Sequence, residues 1–147
     1  TEDVLSESSK SLENAIAYAE KIISQAIALR DQNSGNKNRS ILKTAVDFID
    51  SHYMEEDMSL NKAANAANVS ANHFSALFSQ NMGQTFIEYL TNLRMNKAKE
   101  YLRCTSMRSS EIAGEIGYKD AHYFSYLFKK TQGMTPSDYR KAREDKA

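Results

Sequence analysis

The sequence predicts an all-α fold: two helix-turn-helix units joined by a long spacer helix and preceded by a long N-terminal helix. Three observations predict it. One Pro and five Gly in 147 residues leave few helix-breaking positions, although 41% of the residues are apolar. Apolar residues recur at spacings of three and four, which is the period of a helix. One segment of the chain also occurs twice, so the fold contains an internal duplication.

The N-terminal segment, residues 3 to about 32, is predicted to form one long helix. An apolar seam with alternating spacings of four and three, as in a coiled coil, is formed by Leu12, Ile16, Ala19, Ile23 and Ala26. With about three heptads and two Ala in the seam, pairing would be weak. The helix is either a dimerising signalling helix that follows an upstream regulatory domain or a helix packed on its own domain or on a lost neighbour. Since the chain begins at Thr1 without a Met, we expect a fragment of a longer protein.

Residues 33–37 (N-S-G-N-K) are predicted to be a linker, because Asn, Ser and Gly favour turns. They divide the chain into an N-terminal helix with its linker, residues 1–37, and a second region, residues 38–147, whose first helix Ser40 would cap. Residues 1–35 carry three basic and six acidic residues, and residues 36–147 carry sixteen basic and thirteen acidic residues. A net charge of +3 is modest for a nucleic-acid binder and predicts moderate, salt-sensitive affinity.

A helix-turn-helix is predicted near the C-terminus. Ile112 and Ile116 lie one turn apart on a short helix, and Gly117 supplies the left-handed backbone that a tight turn requires. Asp120 is a suitable N-cap for the next helix. The apolar positions of that helix are Phe124, Leu127 and Phe128. It is the helix that would enter a major groove of DNA.

The same unit occurs upstream. The residues that recur 50 positions later are Phe74, Ser75, Leu77, Phe78, Gly83, Thr85 and Tyr89. Before the turn the offset is 49, so that Ala64 matches Ala113 and Asn68 matches Gly117. The second copy therefore has one extra residue in its turn. Two copies are a duplication and not a stacked array.

Six short motifs lie between residues 59 and 140. They are S-L-x-x-x-A at 59–64, Y-L-x-x-x-R at 89–94, A-x-x-Y-L at 98–102, I-A-x-x-I-G-Y at 112–118, Y-F-S-x-x-F-K-K at 123–130 and G-M-T-P-x-x-Y-R at 133–140. On these motifs the chain resembles the DNA-binding domain of the AraC/XylS family of transcription regulators, and within it the output domain of YesN-type response regulators. The resemblance implies a bacterial, sequence-specific DNA-binding transcription regulator that reads two adjacent major-groove segments of double-stranded DNA. It leaves open whether the protein is an activator, with RNA polymerase as a further partner, or a repressor.

The residues expected to face DNA lie on the outer surface of the two predicted recognition helices. In the first helix they are Ala71, Asn72, Ser75, Ala76 and Ser79. In the second unit they are Lys119, Ala121, His122, Ser125, Tyr126 and Lys129. Asn72 can pair with N6 and N7 of adenine, and His122, its equivalent, can donate to guanine or to a phosphate. Each could instead be a solvated surface residue.

Four basic residues are candidate phosphate clamps, which position the protein without specifying sequence: Arg94, Lys119, Lys129 and Lys130. The family often carries Arg after the repeated Ser, whereas this chain has Ala76 and Tyr126 there. The first unit also lacks the paired Lys of the second. We therefore expect the second unit to supply most of the affinity.

Other classes of function find little support in the sequence. The three His residues share no metal-ligand spacing and no Gly-rich phosphate loop is present, so the sequence indicates no enzyme, no metal and no cofactor. No apolar run approaches the ~20 residues that span a membrane. The single Cys104 cannot form an internal disulfide, which fits a cytoplasmic protein. The alternative that remains is a helical protein-interaction module without DNA binding.

Overall fold

The computed structural model describes the backbone of residues 2–146 and the side chains of all of these except residues 2–6 and 31. This part of the chain contains seven α-helices and no strand: Glu2–His52 (α1), Leu60–Ala66 (α2), Ala71–Met82 (α3), Phe86–Cys104 (α4), Ser109–Glu115 (α5), Ala121–Gln132 (α6) and Pro136–Glu144 (α7). The all-α prediction is confirmed, and α4 is the predicted long spacer helix. None of the described helices combines the length and apolar content that crossing a membrane needs.

The prediction of a linker at residues 33–37 is wrong, because these residues lie inside α1. The prediction that Ser40 starts a new helix fails for the same reason. A single Gly in a helix interior costs only about 1 kcal/mol relative to Ala, and Gly35 is flanked by long helical segments on both sides. The chain nevertheless divides into two compact parts, Thr1–Ser40 and Ile41–Ala147.

The C-terminal part contains two separate hydrophobic cores. The first consists of Ala45, Ile49, Met58, Ala63, Ala64, Phe74, Phe78, Phe86 and Leu90. The second consists of Met95, Ala98, Leu102, Ile112, Ala113, Ile116, Phe124 and Phe128. Since α4 supplies buried residues to both, it is an integral wall of each core as well as a spacer between them.

Each core is closed by a Tyr at equivalent positions of the repeat. The Tyr89 ring packs on Phe78 at 5.5 Å, and its hydroxyl donates to Asp50 Oδ1 on α1 at 2.7 Å. Burial and the Asp50 carboxylate raise the pKa of Tyr89 to about 12. The Tyr139 ring packs on Phe128 at 5.8 Å. The duplication in the sequence is therefore a duplication of core packing.

Candidate nucleic-acid interface

The turn between the two helices of each unit has the same hydrogen bond. The N–H of Val69 donates to the carbonyl of Ala64 at 3.1 Å, and that of Tyr118 donates to the carbonyl of Ala113 at 2.8 Å. The residue before each donor has a positive φ: 57° at Asn68 and 101° at Gly117. The predicted match of these two turn positions is confirmed, and both turns leave the following helix free to present its outer face.

The extra residue of the second turn is Lys119. Ser70 caps α3 by accepting from the N–H of His73 at 3.2 Å, and Asp120 caps α6 by accepting from the N–H of His122 at 2.8 Å. The two N-cap residues are thus 50 positions apart in the sequence, whereas the two turn hydrogen-bond donors, Val69 and Tyr118, are 49 positions apart. The insertion places an exposed ammonium group immediately before Asp120, the N-cap of α6, and Lys119 Nζ lies 3.2 Å from Glu56 Oε1.

Gly117 cannot be replaced without strain, and this gives a testable prediction. A Cβ added at Gly117 would lie 2.7 Å from Arg94 Nη2 and 2.9 Å from the carbonyl oxygen of Met54. We expect Gly117→Ala to lower the free energy of unfolding by about 2–3 kcal/mol, from backbone strain and overpacking together. Urea denaturation followed by circular dichroism measures it. Asn68→Ala, the matched control in the first turn, should lose only about 1 kcal/mol from strain alone. Equal losses would contradict the packing argument.

The outer face of α3 carries no Lys, Arg, Asp or Glu. Of the residues predicted to face DNA there, Asn72 and Ala76 are exposed. The others are partly buried at its edges: Ala71, Ser75 and Ser79. His73 is also exposed beside Asn72. The helical period places His73, which precedes the buried Phe74, at the edge of the outer face.

The outer face of α6 combines an imidazole, a phenol and two ammonium groups. His122, Tyr126, Lys129 and Lys130 are exposed, whereas Ala121 and Ser125 are partly buried. His122, Tyr126 and Lys130 follow one another at intervals of four and share one side of the helix. Lys130 Nζ lies 6.0 Å from the centre of the Tyr126 ring. This side of α6 therefore combines exposed hydrogen-bonding side chains with positive charge.

Tyr123 is a further exposed residue on α6 that the sequence interpretation did not single out. It is 52% exposed, and its ring meets that of Tyr118 edge-on at 5.9 Å. It stands one position before buried Phe124, as His73 stands before Phe74. The internal repeat could therefore have placed Tyr123 at the rim of the outer face of α6.

Arg94 is not at this surface, and its prediction as a phosphate clamp is wrong. Its side chain is buried, with 6% of its surface exposed. Nε donates to the Tyr53 carbonyl at 2.7 Å and Nη2 donates to the Glu55 carbonyl at 2.8 Å. Arg94 lies four residues from Leu90 and from Ala98, both of which are buried. The helical period therefore points it inward, although its charge had suggested an exposed role.

A family model described as a helix-turn-helix domain matches residues 63–142. The lactose operon transcription activator of Staphylococcus xylosus is 36% identical over 99 residues, which are 67% of this chain and 35% of the activator. Across five curated relatives, the chain spans only 12% to 38% of their lengths.

Two solved structures share the fold with substantial identity. The C-terminal domain of AraT, a response regulator from Geobacillus stearothermophilus, is 40% identical with a TM-score of 0.68, covering 70% of this chain and 85% of that one. The C-terminal domain of the two-component response regulator YesN from Fusobacterium nucleatum subsp. nucleatum is 33% identical with a TM-score of 0.65. That match covers 67% of this chain and 95% of the other.

Proposed function

Because this chain belongs to the AraC/XylS family of helix-turn-helix transcription regulators, we propose that it binds double-stranded DNA by placing α3 and α6 in two adjacent major-groove segments. The duplication carries the proposal. Both units have the same turn hydrogen bond and the same N-cap position. A helix-turn-helix docks with the N-terminal residues of its second helix against base edges. Two such helices on one chain can read two segments at once.

The exposed side chains divide into base readers and phosphate binders. Asn72 and His122 stand at equivalent N-terminal positions of α3 and α6, where a bidentate amide can select adenine and an imidazole can select guanine. Lys119 lies just before the N-cap of α6, and Lys129 and Lys130 lie in its last turn. All three are proposed to bind phosphates. Ser75 and Ser125 are placed for either kind of contact. Four other small residues leave room for the helix backbone to approach the groove: Ala71, Ala76, Ser79 and Ala121.

Tyr126 has its own proposed role on α6. Its exposed ring can pack on the methyl group of thymine, and its hydroxyl can reach the backbone. The position carries Ala76 in the first unit, so this contact would exist in the second unit only. Tyr126 is thus a proposed source of sequence preference that the first unit lacks.

The wider role is that of the DNA-binding part of a longer regulator. AraT and YesN are named as response regulators, and we propose a regulatory domain upstream of α1 here as well. The Staphylococcus xylosus relative is named as an activator, so we also propose activation through RNA polymerase. A regulator of bacterial genes acts in the cytoplasm, and we assign this chain no reaction of its own.

A salt titration tests the proposed function against a protein-interaction module. Binding of the 147-residue chain to a random-sequence duplex is measured by gel shift at several salt concentrations. Three phosphate contacts predict that log K falls with log salt with a slope of about −3. Selection from a random DNA pool should then yield a preferred sequence. A chain that showed no salt-dependent DNA binding would be a protein-interaction module instead.

The exposed seam of α1 gives a prediction about self-association. Leu12, Ile16 and Ile23 are 64%, 52% and 59% exposed, and their spacing fits pairing with the same seam of a second copy. We expect a weak dimer that sedimentation velocity detects as a concentration-dependent shift. Deletion of residues 1–33 or Ile16→Gln should abolish the shift. Tyr18 does not belong to the seam, so Tyr18→Gln should preserve the concentration-dependent shift. Monomers at high micromolar concentration would favour the alternative of a packed helix.

A further inference from the structure

We propose that Arg94 is a positioning residue that holds α6 at a fixed orientation relative to α3, and thereby sets the spacing between the two DNA segments the protein reads. The inference rests on the proposed function, since it concerns how two reading helices act together. It concerns a residue that the DNA does not touch. Among the residues described, no other charged side chain is buried.

Arg94 joins the two halves of the C-terminal part. Its Nε and Nη2 donate to the carbonyls of Tyr53 and Glu55, in the loop that follows α1 and borders the first core. Its guanidinium carbon lies 4.9 Å from the centre of the Tyr118 ring, in the turn of the second unit. Gly117, in the same turn, lies so close that a Cβ there would meet Nη2. One side chain thus contacts the first half through hydrogen bonds and the second through its planar face.

The connection matters because the two cores are otherwise separate clusters that share α4. A single helix resists bending poorly compared with a braced one, so α4 alone would permit the second unit to swing. Arg94 sits on α4 between the last residue of the first core, Leu90, and Met95, the first residue of the second. Its three contacts form a brace at the point where a swing would pivot.

A second side-chain link between the same elements is an exposed ion pair, which is weaker. Lys119 Nζ lies 3.2 Å from Glu56 Oε1, but the two side chains are 81% and 51% exposed. Exposed ion pairs are screened by water and salt and contribute little. Lys119 is also placed to exchange this carboxylate for a phosphate. Arg94, which is buried and has directed hydrogen bonds, is therefore the contact that can hold the orientation.

The geometry of DNA makes this orientation a determinant of spacing. With 10–10.5 base pairs per turn, moving a groove segment by one base pair rotates it by about 35° around the duplex axis. A braced pair of reading helices cannot follow that rotation, and a loosely hinged pair can. Arg94 should therefore control how sharply the protein discriminates between spacings, without changing which bases each helix prefers.

The test uses a duplex selected from a random pool by the unmodified 147-residue chain. Versions of this duplex are made with the centre lengthened or shortened by one base pair. We expect the unmodified chain to lose about tenfold or more in affinity on each altered duplex. Arg94→Met keeps the apolar stem but removes the hydrogen bonds, and should reduce this discrimination to about threefold or less. Its salt slope should stay unchanged, since Arg94 binds no phosphate.

Three further variants make the result specific. Tyr118→Leu removes the ring on which Arg94 rests, and should lose discrimination in the same way even where Arg94→Met does not fold. Arg94→Lys keeps the charge but cannot make both directed hydrogen bonds. Its discrimination between spacings should lie between that of Arg94→Met and that of the unmodified chain. Glu56→Gln breaks only the exposed ion pair, and should keep the spacing preference.

The outcomes separate the inference from the function on which it rests. If Arg94→Met or Tyr118→Leu folds and retains the full spacing preference, Arg94 is not the brace. A salt slope reduced by about one unit in Arg94→Met would mean that it contacts a phosphate. If the unmodified chain selects no two-part site, the proposed two-segment binding is wrong, and the inference is overturned with it.

Discussion

Replacing Phe128 by Ala should lower the free energy of unfolding by about 3–5 kcal/mol, the usual cost of removing a fully buried aromatic ring. Phe128 has no exposed surface and belongs to the second core. Its ring meets Phe124 at 5.9 Å and Tyr139 at 5.8 Å. Small domains have a total stability of about 5–15 kcal/mol. Phe128→Ala should therefore remove a large share of the stability that keeps α6 in place.

Urea denaturation followed by circular dichroism measures this loss. The matched control is Tyr126→Ala on the same helix, whose ring is 60% exposed and should change stability by less than about 0.5 kcal/mol. Phe78→Ala, the equivalent residue of the first core, should cost as much as Phe128→Ala, because both rings are fully buried. Similar stability in Phe128→Ala and Tyr126→Ala would show that the second core is not packed as described.

The second large effect is an asymmetry in DNA binding between the two units. Asn72 and Gln80 of the first unit are the equivalents of His122 and Lys130 of the second. We expect His122→Ala and Lys130→Ala to weaken binding to a selected duplex more than Asn72→Ala and Gln80→Ala do. A lost base contact costs about 1–3 kcal/mol. A lost phosphate contact lowers the salt slope by about one unit. The physical reason is charge: Lys119, Lys129 and Lys130 surround α6, whereas no Lys or Arg lies between residues 63 and 93.

Quantitative gel shifts of the four variants at two salt concentrations measure this ranking. All four side chains are exposed, so their removal should leave the fold intact, which circular dichroism can verify. An opposing effect exists, because Asn pairs with adenine through two hydrogen bonds while an imidazole makes one. Larger losses from Asn72→Ala and Gln80→Ala would therefore reverse the ranking and make α3 the dominant reading helix.

The recognition helices and their ends could be predicted from the sequence because local contacts determine them. Asp120 caps α6 through a hydrogen bond to a residue two positions away, and Thr135 caps α7 through one three positions away. Gly83 and Gly133 end α3 and α6 in the left-handed conformation. Such features require only near neighbours in the chain. They appear in the sequence as Gly, Asp or Thr at a fixed distance from an apolar stripe.

Features that depend on distant residues could not be predicted in the same way. The partners of Arg94 lie 39 and 41 positions away, so its charge suggested DNA while its contacts are internal. Residues 33–37 have the composition of a turn, yet they lie within α1. Turn propensity is a weak preference that flanking helices override. The duplication revealed an extra residue in the second turn, but only the hydrogen bonds identify it as Lys119.

The central claim is that one chain reads two major-groove segments at once, and hydroxyl-radical footprinting tests it most directly. The chain lacking residues 1–33, which removes the seam of α1 and with it the predicted dimer, is bound at saturation to its selected duplex. We predict two protected segments about one turn, or ~10 base pairs, apart on one face of the duplex. Protection of a single segment by this shortened chain would contradict the claim, since one helix-turn-helix would then account for all of the binding.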